Sequence, residues 1–429
     1  MKEGIIATRT SCRVCGHAPL TPILSLGDMY VSDFLHDTDI VEKKRYPLDL
    51  VLCNHKEGGC GLLQLKHTVS HEAMYRNYWY RSGMNKTMTD ELNSIAKRME
   101  DMVALKTGDH VLDIGANDGT LLRGYKKDGI MRIGFEPAKN LRKWNQEGTS
   151  KIIPDFFNFD AWQKTCGDAK AKAITAIAMF YDLEDPNEFV GDAAKCLDTN
   201  GAFIIQMSYL PLMLSQNAFD NICHEHLEYY SLFSLERLLA RHDLEVFDVE
   251  LNSVNGGSFR TYIRHKEGGK DIRVASGAQE RIMKIRTEED ALGLHTKKPY
   301  EEFVARVESI RTALCSFIER ENASGKKIFV YGASTKGNTL LQFFGLNERS
   351  IAGAAERNAD KWGRKTIGTN ILIMSEAEVR AKKPDYFLIL PWHFLEEFRS
   401  RESEYFTQGG KFIVPLPQFK IIGKSVQDA

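Results

Sequence analysis

The sequence predicts an α/β chain in three parts, a doubly wound core between a small cysteine-stapled module and a second, smaller α/β sheet. Three observations carry this. Four of the eight cysteines, Cys12, Cys15, Cys53 and Cys60, cluster near the start. Apolar runs such as HVLDIG, MRIGFEP, AITAIAMF and GAFIIQM alternate with helical patterns, as the strands of a parallel sheet buried on both faces do. A second series, KIFVYGAS, SIAGAAE, NILIMS, PDYFLILP and GKFIVP, follows a long helical pattern. The expected boundaries are 1–85, 86–265 and 266–429.

Length and composition narrow the function classes. A chain of 429 residues has the size of two to three domains. Its 57 basic and 58 acidic side chains are interspersed and give a formal charge of −1, which supplies no field for a phosphate backbone or an anionic membrane. Nucleic acid and membrane are therefore not expected as partners. No apolar run of about 18 residues occurs, and the start MKEGIIATRTSCRVCG lacks the apolar segment of a secretory signal. The expectation is a cytoplasmic monomer or homodimer.

The first part, turn-rich and with an aromatic cluster from Tyr75 to Tyr80, reads as a metal-stapled module. Cys12 and Cys15 have the two-residue spacing of a zinc knuckle, and Cys53 and Cys60 complete the four thiolates of a closed tetrahedral structural site. The second pair is spaced more widely than usual, which leaves His17 or His55 as a substitute for one thiolate. A filled site cannot activate water, so the expected role of zinc is structural.

In the second part, VLDIGANDGT follows a predicted strand and precedes a helix. Gly115 and Gly119 let the backbone approach a ligand at the strand's carboxyl end, where α/β folds bind nucleotides. The next strand ends at Glu136-Pro137, 23 residues after Asp113, where an acid can accept both ribose hydroxyls. The glycines lack dinucleotide spacing. The loop is instead similar to motif I of class I methyltransferases, which implies S-adenosylmethionine, with Asp113 and Asp118 holding its amino-acid half alongside Asn117. Asp155 and Phe156, after the third strand, are placed to flank the adenine.

Beyond GAFIIQM comes CHEHLEYYSL, in which His224 and His226 bracket Glu225. Such groups are costly in a core unless protons are moved or a metal is held. A strand would put both imidazoles on one face, and no helix-spaced H-E-x-x-H is present; a hydrogen-bonded structural cluster is the third reading.

At this point the chain resembles the C-methyltransferases of nucleotide-diphosphate 4-keto-6-deoxysugars. The resemblance covers nearly the whole chain and rests on five elements in order: the cysteine module, VLDIGANDGTLL, CHEHLEYYSL, NGGSFR from Asn255, and YGASTKGN from Tyr331. It implies a class I methyltransferase core flanked by a zinc module and a C-terminal Rossmann-like domain. It also implies a base at His226, with Glu225 contacting the sugar and Tyr78 and Tyr80 reaching into the same cleft. The nucleotide sugar would be methylated at C3 through an enolate, whose oxygen needs donors such as Asn255. An S-adenosylmethionine-dependent O- or N-methyltransferase would share the cofactor loop without needing that base.

Two departures mark this chain. Cys223 stands where many family members have tyrosine, and the loop after the fourth strand reads Met179-Phe180-Tyr181-Asp182-Leu183 where Asn and His are common. In the third part, Gly332 and Gly337 with Lys336 suit either a phosphate or a plain turn. Glu356, Arg357, Asn358 and Lys361 fall beyond a strand end where a cleft opens, Trp392-His393 reads as core, and ERIMKIRTEED reads as a solvated helix face.

Overall fold

The computed structural model describes residues 7–39, 44–70, 74–75 and 80–424, apart from the side chain of Asn255. The first part forms an antiparallel sheet of β1 (Thr21–Tyr30), β2 (Arg45–Leu52) and β3 (Leu63–Leu65), extended by Glu228–Tyr229 from the distant CHEHLEYY segment. In that pairing Glu228 faces Gln64 and Tyr229 faces Leu63.

The central sheet contains β4 (His110–Ile114), β5 (Met131–Phe135), β6 (Lys151–Ile153), β7 (Ala171–Ile177), β8 (Leu197–Ser208), β9 (Leu244–Asn252) and β10 (Ser258–His265), in the order β9-β10-β8-β7-β4-β5-β6. Strands β4 to β8 run parallel, and β10 is antiparallel to both neighbours. Burial on both faces explains the unbroken apolar runs: Ile174, Ala176, Phe203, Ile204 and Ile205 are all fully buried. Helix α1 (Lys86–Val103) starts where the Asn85 side chain accepts the Met88 N–H, and it lays Leu92, Ile95, Ala96, Met99, Met102 and Val103 on the core.

Two helices, α2 (Ala278–Leu292) and α3 (Lys298–Ala323), lead to the last sheet. This contains β11 (Ile328–Tyr331), β12 (Ala354–Glu356), β13 (Ile373–Ser375), β14 (Tyr386–Ile389), β15 (Lys411–Val414) and β16 (Lys420–Ile422), in the order β13-β12-β11-β14-β15-β16 and parallel but for β16. Helix α4 (Thr335–Phe344) follows β11. Tyr300, Phe303, Val307, Ile310, Leu314, Phe317 and Ile318 of α3 are buried at the spacing that predicts this helix. Among the described residues no helix is long and apolar enough to cross a membrane.

Two features depart from the sequence reading. The first sheet is no isolated module: Phe34, Leu48, Leu50 and Leu65 share one hydrophobic cluster with α3 and the last sheet. Phe34–Leu35 also pairs with Lys365–Thr366. The stretch ERIMKIRTEED is not merely a solvated face, because Glu289 is buried at 4% exposure. Its carboxylate accepts from the Tyr209 hydroxyl (2.7 Å) and from the backbone N–H groups of Leu232 (2.6 Å) and Phe233 (3.0 Å), the first residues of the helix Leu232–Leu239. Those N–H groups have no partner inside their helix, so a carboxylate there offsets a cost that α2 must reach across to meet. Glu289→Ala strands these three donors, each at about 1–3 kcal/mol; thermal unfolding should drop clearly, with Glu289→Gln losing less, as calorimetry would read.

Candidate active site and metal centre

The four cysteines converge although 48 residues separate Cys12 from Cys60. Cys12 Sγ lies 3.5 Å from Cys60 Sγ, Cys15 Sγ lies 3.4 Å from Cys53 Sγ, and all four sulfurs lie within 4.8 Å of one another. A tetrahedron of thiolates at the zinc–sulfur bond length has sulfur–sulfur edges of about 3.8 Å, so the donor set fits. The thiols also share protons unequally. Hydrogen bonds from Cys53 and Cys60 pull the Cys12 pKa down, and the same contact with Cys12 pushes that of Cys60 up. Four thiolates this close need a cation to coexist. Gly59 is required here, since a Cβ would stand 2.5 Å from Cys53 Sγ and 2.8 Å from backbone. Neither histidine substitutes: His55 Nδ1 is 3.1 Å from the Gly59 carbonyl oxygen, outside the cluster.

One large cavity, about 1210 Å³, opens where the carboxyl ends of β4, β5 and β7 face those of β11 and β12. Asp113, Gly115, Asn117, Glu136, Pro137, Asp155 and Phe156 all line it. Gly115 has φ +74°, and a Cβ there would press on the Met179 side chain at 3.2 Å. Glu136 accepts the N–H groups of Asn117 (2.8 Å) and Ala138 (2.7 Å), while Asp113 accepts the Thr175 hydroxyl at 2.6 Å. Burial nevertheless pushes both carboxyls up to about 7.

Asp118 and Gly119, read as cofactor ligands, do not line this cavity. The Asp118 carboxylate is spent on the Gly83 N–H (2.8 Å) and the Thr120 hydroxyl (2.6 Å), pinning the 82–84 turn to the loop. Gly119 starts the helix Thr120–Gly124 in a left-handed conformation. Both are structural in this arrangement because the loop turns inward after Asn117.

The catalytic segment needs a larger correction. Residues 223–227 form a turn, closed by His226 N–H on the Cys223 carbonyl at 3.1 Å, so the two-residue periodicity of a strand does not apply. The imidazoles diverge. His224 turns away from the cavity and places Nε2 3.1 Å from the Tyr46 carbonyl oxygen. Glu225 does not line the cavity either; its carboxyl is buried against the Cys223 thiol, with one oxygen unpartnered. His226 does line it, and its Nδ1 lies 2.8 Å from the Asn221 carbonyl oxygen. A carbonyl only accepts, so Nδ1 carries the proton and Nε2 keeps its lone pair. Burial, helped by the charge of Lys336, holds this imidazole down at about 3, hence neutral. The Tyr181 ring meets it edge-on, 4.4 Å between centroids.

Tyr80 lines the same cavity with 44% of its surface exposed. Tyr78 and the Asn255 side chain lie outside the described residues and atoms. Residues that sequence reasoning missed as walls are Tyr75, Tyr181, Asp182 and His393. Tyr75 belonged to an aromatic cluster already visible, and Asp182 to the departing loop. His393, read as core with Trp392, faces the cavity. Of the third part's candidates, Lys336, Glu356, Arg357 and Lys361 line it.

Three family models match the chain in succession: a zinc binding domain at residues 12–75, a methyltransferase domain at 80–249 and a C-methyltransferase C-terminal domain at 253–417. The chain is also 28% identical over 423 residues to the C-methyltransferase NovU of Streptomyces niveus, covering 98% of each. In domain order and along nearly its whole length the chain is similar to C-methyltransferases. It is an enzyme that uses S-adenosylmethionine and carries a zinc-binding module. Among solved structures, it is similar to a chain from the complex between the Haloferax volcanii Trm112 methyltransferase activator and a methyltransferase (17% identity, 43% of this chain, 94% of that one, TM-score 0.34). It is also similar to magnesium protoporphyrin IX methyltransferase of Synechocystis PCC 6803 (11%, 42% and 88%, TM-score 0.34).

Two measurements check the site. Metal analysis should find roughly one zinc per chain, falling toward zero in Cys60→Ser together with the thermal midpoint. Because Asp113 and Glu136 take up protons as pH falls through about 7, they lose the charge that favours a cationic ligand. Binding of S-adenosylmethionine should therefore weaken below pH 7 by up to about tenfold per unit for each carboxyl and level off above it. Glu136→Gln should reduce that slope in calorimetric titrations.

Proposed function

We propose that this C-methyltransferase places its methyl group on C3 of a nucleoside-diphosphate 4-keto-6-deoxysugar, with His226 as the base. The observation that carries the reading is the neutral imidazole of His226, with its Nε2 lone pair left over, in the wall of the cavity that also holds the motif I loop. Carbon is a poor nucleophile until a neighbouring ketone makes its hydrogen acidic. His226 Nε2 takes the C3 proton, the C–H electrons pass into the C3–C4 bond, and the carbonyl π electrons move to the oxygen. The residues around the motif I loop would hold S-adenosylmethionine, which when bound would supply a sulfonium methyl whose S–C electrons leave with the thioether as C3 bonds to it; the carbonyl re-forms, and His226 returns its proton to solvent.

Asp113, Gly115, Asn117, Glu136 and Phe156 are the residues that would hold the cofactor on one side. Tyr80 is placed to donate to the developing oxyanion, where positioned donors give the largest rate effect. Two further features support a nucleotide-linked substrate. The cavity exceeds the usual range of about 300–1,000 Å³ for one small ligand. Its far wall carries Lys336, a cation suited to a diphosphate, while Arg357, Lys361 and Arg401 there pair with Glu397, Glu356 and Glu376 of the same wall. The eight free cysteines suit a reducing cytoplasm.

In deuterated water with dTDP-4-keto-6-deoxyglucose, the enzyme should exchange the α-hydrogen, and His226→Gln should lower kcat by at least about 10² and abolish exchange. Methyl transfer without any exchange, or an undiminished rate in the variant, would overturn the reading in favour of O- or N-methylation.

A further inference from the structure

The turn that holds His226 is itself held from the last sheet. Asn221 uses its backbone carbonyl for His226 Nδ1 (2.8 Å) and the Tyr229 hydroxyl (3.3 Å). Its side-chain oxygen accepts from Lys336 Nζ at 2.6 Å, across 115 residues of sequence. Lys336 stands in the first turn of α4 and lines the cavity. The neighbouring Asp220 accepts the Trp392 indole N–H at 3.1 Å. Two contacts from one side thus grip Asp220 and Asn221, adjacent residues of the short 3₁₀ helix Phe219–Asn221 that leads into the turn. Around Lys336 stand Asp182, Asp220, Cys223, His226 and His393, each of which feels its charge.

We infer that Lys336 is a positioning residue for the base: it fixes Asn221, and Asn221 decides which nitrogen of His226 faces the cavity. The inference rests on the reading of His226 as the base. A neutral imidazole has two tautomers, and only the one with hydrogen on Nδ1 presents a lone pair at Nε2. With Lys336 gone, the Asn221 amide loses its anchor, the Nδ1–H···O bond loosens and the tautomers mix. Removal of the ammonium charge also makes His226 easier to protonate, so its midpoint moves up toward the ordinary histidine value.

The test uses the full-length protein with ¹⁵N-labelled histidine, the His226 signals being assigned by their loss in His226→Gln. Calorimetric binding of S-adenosylmethionine reports that each variant is folded. Wild type should show His226 as the Nδ1–H tautomer across about pH 5 to 8. Lys336→Met should give mixed tautomers and a midpoint at least about one pH unit higher, and Lys336→Arg should restore the wild-type pattern. Asn221→Ala should reproduce the mixing, and adding it to Lys336→Met should add little, as for two links of one chain. With dTDP-4-keto-6-deoxyglucose, Lys336→Met should lower kcat, the loss of the competent tautomer outweighing the gain in basicity that the raised midpoint brings. An unchanged tautomer and midpoint in a Lys336→Met protein that still binds S-adenosylmethionine would overturn the relay. If Lys336→Met fails to fold, an unperturbed His226 in Asn221→Ala does so. Mixed tautomers alongside full activity of His226→Gln would leave the relay standing and remove the base assignment instead.

Discussion

A parallel sheet whose winding reverses beside one strand cannot cover that strand's carboxyl end with its own connections. In this chain the reversal falls at β4, flanked by β5 on one side and β7 on the other. The loops leaving the three strands splay apart, and the gap between them is the cavity wall. The rest of the site depends on this constraint. Gly115 turns there in the left-handed region, Glu136 is brought beneath Asn117, and the loop after β7 carries Tyr181 to the ring of His226.

The opposing wall comes from a second reversal, at β11 between β12 and β14, so the cavity lies between the carboxyl ends of two sheets. Groups of different character face each other across it. Carboxyls near β4 and β5 suit a cation and ribose hydroxyls, while beyond β11 and β12 lysine and arginine stand beside the carboxylates they pair with. Between them stands an imidazole kept neutral by burial and by a neighbouring ammonium, with its polarity set by one carbonyl. Stability and chemistry share these contacts, since the turn that presents His226 is also where the last sheet grips the core.

Much of this was legible in the amino-acid order because it depends on local rules. Buried parallel strands read as unbroken apolar runs, α3 reads from its three- and four-residue spacing, and the turn after β4 reads from glycines at a strand end. What failed depended on long-range geometry. His224 and His226 look equivalent in sequence until a turn at Cys223 sends one to the Tyr46 carbonyl and the other to the cavity. Asp118 looks like a ligand until Gly83, 35 residues earlier, claims its oxygen. Glu289 looks solvated until the helix it caps arrives against it. For Asp118 and Glu289 the deciding partner lies too far along the chain for spacing to reveal.

The pairing of Phe34–Leu35 with Lys365–Thr366 has a consequence for how the molecule comes into being. During vectorial synthesis the ribosome releases the cysteine-bearing segment first, yet the surface it packs on is made about 330 residues later. For most of translation its leucines and Phe34 must wait beside solvent or a chaperone, with bound zinc to keep the surrounding loops in shape. Such a segment is not a detachable cassette. Transplanting the central sheet without the last one would leave an apolar face uncovered, so the first and last sheets stand or fall together.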